Sequence, residues 1–139
     1  MTKVISEAEV STESVEALLQ QAFYKTHIDE DGDVYVMDGL DFPIWVSVDE
    51  GRKLIRFFTF ARRDAEDGPP FTEASANYLN ANVTLPSFYV EASRAERLCA
   101  NYFLSYEDGL IDSQFIGLMR RFSGAFLYGI KQIPDHVLH

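Results

Sequence analysis

The period of the apolar positions changes several times along the chain, and each change marks an element. Val15, Leu18, Leu19, Ala22 and Phe23 recur at i, i+3, i+4, i+7 and i+8, the stripe of an amphipathic helix. Ser11 stands where a hydroxyl can accept hydrogen bonds from the unpaired amides of a first turn. Val10 and Val15 occupy the two positions that staple a chain across that turn. Beyond Phe23 the period falls to two. Residues 24–29 and 33–38 read as strands around the turn Asp29-Glu30-Asp31-Gly32. Phe42, Ile44, Val46 and Val48 alternate with Pro43, Trp45 and Ser47, and residues 53–61 follow as a fourth strand after Asp49-Glu50-Gly51-Arg52.

A polar break over residues 62–70 separates this meander from a second helix over residues 71–83. Its core face would carry Ala74, Tyr78, Leu79 and Val83, although Asn77, Asn80 and Asn82 are weak helix formers. Residues 87–92 and 96–106 read as two more strands. A long helix follows, capped by Asp112, striped by Phe115, Leu118, Met119, Phe122, Ala125 and Phe126, and stopped by Pro134. The predicted order is α-β-β-β-β-α-β-β-α. Hairpin-linked strands run antiparallel, so the fold class is α+β. The expectation is a single domain over residues 1–139, with a loose lead-in at 1–10 and a loose tail at 134–139.

On alternation, Phe42, Ile44, Val46, Leu54, Phe58 and Phe60 are assigned to one face of the sheet, and Trp45, Ile55, Phe57 and Phe103 to the other. Either the second helix covers the back face, or an apolar patch stays open there as an interaction surface. Trp45, Phe57 and Phe103 are the expected partner-binding residues.

Composition fits this picture. The chain has 139 residues with 11 Phe, 7 Tyr and one Trp, enough for a core without metal or disulfide support. Its formal charge is −10, densest at the N-terminal end. An acidic surface repels phosphates and anionic lipid heads, which argues against nucleic acid or membrane as a partner. The first ten residues lack the apolar run of a signal peptide, and no stretch is long enough to span a bilayer. These features give a cytoplasmic reading.

Candidate chemistry is sparse. The cluster Asp29-Glu30-Asp31-Gly32-Asp33 lacks the glycine at position 6 and the glutamate at position 12 of a calcium loop, and it reads as a solvated turn. His27, His136 and His139 form no zinc-type pair. His27 could serve as a base but has no partner assigned by sequence. Cys99, the lone cysteine, sits in an apolar strand and reads as a packing residue. No catalytic residue, cofactor site or metal site is assigned. Gly117 and Gly124 on the last helix could leave room for an apolar metabolite beside the sheet, which keeps a small-ligand sensor as the alternative function.

Asn77-Tyr78-Leu79-Asn80, Pro86-Ser87-Phe88-Tyr89-Val90, the strand Leu98 to Leu104 and the aromatic helix after Asp112 together resemble the YbjN-domain family, labelled bacterial sensory transduction regulators. The early Asp-x-Asp-Gly turn and Val46-Ser47-Val48-Asp49 also fit. The family is similar in fold to type III secretion chaperones, small acidic dimers that hold partially unfolded partners. The resemblance therefore implies a non-enzymatic protein–protein role, chaperone-like or as an adaptor, and a homodimer.

Overall fold

The computed structural model describes residues 3–134 except 64, 69 and 92, with residues 65 and 95 described by their backbone alone. A two-residue strand β1 (Val4–Ile5) and a 3-10 turn at Glu7–Glu9 lead into α1 (Thr12–Gln21). The meander follows as β2 (Lys25–Ile28), β3 (Val34–Asp38), β4 (Ile44–Asp49) and β5 (Leu54–Arg62). Next come α2 (Glu73–Asn82), the hairpin β6 (Ser87–Glu91) and β7 (Arg94–Ser105), the short β8 (Leu110–Ile111), and α3 (Asp112–Gln132). The main sheet has six antiparallel strands in the order β2-β3-β4-β5-β7-β6. This is the expected α+β order with one added pair, β1 with β8.

That added pair corrects the reading of residues 1–10 as a loose lead-in. Val4 and Ile5 pair with Ile111 and Leu110, and Val10 is buried. The Lys3 amide donates to Asp112 Oδ1 at 2.8 Å. Residues 135–139, most of the expected loose tail, lie outside the described residues.

Local chemistry accounts for the helix starts. Ser11 caps α1 through a reciprocal pair with Ser14, and Thr72 caps α2 in the same way with Ser75. At α3 the capping position belongs to Ile111. Asp112 is instead the first helical residue, and its carboxylate accepts from the Ser113 amide. The asparagines of α2 have a use that propensity does not show. Asn80 Nδ2 donates to the Phe88 carbonyl at 3.0 Å, and Asn80 Oδ1 accepts from the Phe88 amide at 2.8 Å. One side chain thus satisfies both backbone groups of an edge-strand residue.

All three helices cover the same face of the sheet. Val46 pairs with Phe57, Thr59 with Ala100, and Phe88 with Ala100, so these residues point to the helix side. From α3, Phe115, Met119, Phe122 and Phe126 are fully buried against them. The Phe57 ring lies 5.5 Å from Phe115 and 6.0 Å from Phe122, while Phe126 meets Phe42 at 5.0 Å and Phe88 at 5.9 Å. Gly129 is the close-approach glycine of α3: a Cβ there would lie 3.2 Å from Phe88 and 3.4 Å from Leu79 and Val83. That crowding places α2 beside α3, on the helix side. The second helix does not cover the back of the sheet.

Candidate binding face

The side of the sheet turned away from the helices is open among the described residues. Hairpin register decides its composition. Trp45 pairs with Phe58 and Asp49 with Leu54, so Leu54, Phe58 and Phe60 share the face of Trp45. Ile55 and Phe57 share the face of Ile44 and Val46. The alternation expected within each strand is right, but the assignment between β4 and β5 is corrected by one residue, which flips every side chain of the second strand. Phe57 therefore leaves the set of partner-binding candidates. It is 0% exposed and belongs to the core. Trp45 and Phe103 stand on the open face, with Phe103 47% exposed.

A ladder of rings crosses this face. His27 meets Tyr35 edge-on at 5.5 Å, Tyr35 lies 4.8 Å from Trp45, and Trp45 stacks with Phe58 at 5.9 Å and Phe60 at 5.4 Å. Two arginines close the far side. Arg56 lies over Phe58 at 4.4 Å and Arg97 over Phe60 at 4.3 Å. Arg56 Nη2 also donates to Tyr89 Oη at 3.3 Å. Tyr35, Arg56 and Arg97 were not singled out from the sequence, and Phe58 and Phe60 were assigned to the face opposite Trp45. Their signal was the alternation Arg56-Phe58-Phe60, legible only once β5 is set in register against Trp45.

Three groups on this face, Asp33, Tyr89 and Cys99, are shifted toward their neutral forms. Burial pushes the Asp33 carboxyl above its usual range, with Asp29 and Asp31 adding repulsion and a Ser47 hydrogen bond opposing them. Burial likewise raises the Tyr89 phenol and the Cys99 thiol. Cys99 is buried, in the packing role expected for it, and a raised thiol is a poor nucleophile. The acidic turn beside Asp33 uses its own ligating atoms: Asp29 Oδ1 accepts from the Asp31 and Asp33 amides, both at 3.0 Å. Among the described residues no three His, Cys, Asp or Glu side chains converge as metal ligands.

The space proposed for an apolar metabolite, between the sheet and α3, is filled by phenylalanine rings. Gly117 faces outward, with nothing within 4 Å of its Cβ position, and a Cβ at Gly124 would meet Asp41 Oδ2 at 3.0 Å. Neither glycine opens a chamber against the sheet. Gly117 instead lines a groove of about 510 Å³ between α1 and α3, with Leu18, Ala22, Ile116 and Arg120.

The sequence profile of the YbjN family, described as "Putative bacterial sensory transduction regulator", matches residues 11–127. The chain belongs to the YbjN family. No curated protein matches the chain significantly. Among solved structures it is similar to the crystal structure of YbjN from E. coli, described as "a putative transcription regulator". The two share 16% identity with a TM-score of 0.65, over 88% of this chain and 92% of that one. At that identity the likeness is one of fold, and it supports the three helices over an antiparallel sheet described above. Among the described residues no helix is long and apolar enough to cross a membrane.

Proposed function

We propose that this YbjN-family chain is a non-enzymatic, cytoplasmic interaction domain, chaperone-like or an adaptor in bacterial signalling or stress response, and that it docks protein partners on the open face of its sheet. The observation that carries this reading is the ring ladder through Trp45, left without a helix over it. Aromatic side chains and arginine dominate binding energy at protein interfaces, because they bury large rigid area while keeping polar edges. A family described as regulators is consistent with action through a partner.

Capture from a native bacterial lysate, read by quantitative mass spectrometry, tests the reading. Wild type should retain a set of proteins that is lost with Trp45→Ala and reduced with Phe103→Ala. The turn variant Glu30→Ala should keep that set. Identical sets for all four proteins would contradict the proposal.

Homodimer formation fits the opposite side of the molecule. Phe23 is 95% exposed and holds a φ of 71°, a backbone conformation costly for a bulky residue. It directly follows Ala22, which lines the groove between α1 and α3. A twofold axis there would seat each Phe23 in the other copy's groove, an isologous contact. Light scattering at micromolar concentration should give twice the mass of one chain, and Phe23→Ser should halve it. A wild-type mass equal to one chain would exclude the dimer.

A further inference from the structure

Two cations on the open face, Arg56 and Arg97, form no ion pair among the described residues. The Nε atoms of Arg56 and Arg97 are buried and without a hydrogen-bond partner. Asp33 and Glu91 act on the face through space, from outside ion-pair distance. A guanidinium stacked on a ring is pre-organised; with Nε buried, these partly exposed arginines would meet a carboxylate through their Nη groups. The rings beneath, Phe58 and Phe60, are two residues apart on β5, which sets the two stacks about 7 Å apart. Alternate side chains of an extended peptide have the same spacing.

Resting on the reading of this face as a docking surface, we propose that its partner is an extended acidic segment with carboxylates two residues apart, one over each Arg–Phe stack, and apolar side chains between and beside them on the rings. The charge of −10 repels such a segment overall, so attraction has to come from the paired arginines of this face. Screening over about 8 Å at physiological salt keeps the local arginines decisive. A nucleic acid could offer phosphates to the same arginines. Its continuous charge would also run along the acidic remainder of the molecule, and this favours the peptide.

The test is selection from a random heptapeptide library displayed on phage, panned against wild type, Trp45→Ala and the double variant R56Q/R97Q. Wild type should enrich peptides with Asp or Glu at i and i+2, and R56Q/R97Q should lose that bias. Replacing the two acids of a selected peptide by Gln should weaken its Kd by roughly tenfold or more, from loss of charge-assisted hydrogen bonds. Should R56Q/R97Q melt early, R56K/R97K replaces it, with weakened but retained acidic bias expected. Enrichment that depends on Trp45 without acidic bias would overturn the acidic partner and leave the docking face standing. Absence of any Trp45-dependent enrichment would overturn both. Tighter binding of single-stranded oligothymidylate than of the selected peptides would overturn the peptide assignment.

Discussion

Phe57 and Trp45 sit on neighbouring strands, one position out of phase, and do opposite jobs. Phe57 has no exposed surface and holds the rings of Phe115 and Phe122 from the sheet side. Phe57→Ala should therefore cost about 3–5 kcal/mol, the range for emptying a buried ring site. Trp45 is partly solvated and packs on Tyr35, Phe58 and Phe60 within its own face. Trp45→Ala should cost about 1–2 kcal/mol, from the share of its area that is buried. Urea unfolding of the two variants checks both values; equal losses would contradict the face assignment. At this scale the sequence showed that the sheet has aromatic residues on both sides. It could not show which, because alternation within a strand is local, while the phase between β4 and β5 depends on the closing pair Asp49 and Leu54. Cys99 was legible for the converse reason: a lone cysteine between Leu98 and Ala100 needs no partner strand to be read as packing.

Elements were legible where their chemistry is local. The cap at Ser11 and the Asp-Gly turns act within a few residues, and both are present. The stripe of α1 holds through Leu19, but Phe23, counted in it, lies past the helix end and is 95% exposed, and Ala74, expected on the core face of α2, is exposed while Ser75 and Ala76 are buried. The 3–10 segment was not legible, because Val4 and Ile5 find their partners more than a hundred residues away, at Ile111 and Leu110. The asparagines of α2 weakened the prediction of that helix for a similar reason, since the bond from Asn80 to Phe88 lies outside the helix. The glycines of α3 make the helix environment testable. Gly117→Ala adds a methyl into open space and should stabilise the chain by about 0.5–1 kcal/mol through helix propensity. Gly129→Ala pushes against Phe88, Leu79 and Val83, which are packed and cannot retreat together. It should be destabilising by about 1 kcal/mol, within the usual overpacking range. Thermal melts of the pair should move in opposite directions; a gain for both would mean that α2 and α3 are looser than described.

At the scale of the whole molecule, three helices lie on one side of a six-stranded sheet, and among the described residues nothing covers the other side. That asymmetry was one of two outcomes left open by the sequence, because the side on which α2 lands depends on the path through residues 62–72 and not on the helix's own pattern. Net charge added a second asymmetry. The molecule is acidic overall, yet its open face presents Arg56 and Arg97. Family membership agrees with the fold and leaves the partner to be found by the chemistry of that face. The chain's single tryptophan lies within the face, so it reports on occupancy directly. Acrylamide quenching of Trp45 emission should be substantial in the free protein and strongly reduced in a complex with a captured partner. Quenching unchanged by the partner, or a Trp45 already shielded in the free protein, would contradict an open docking face.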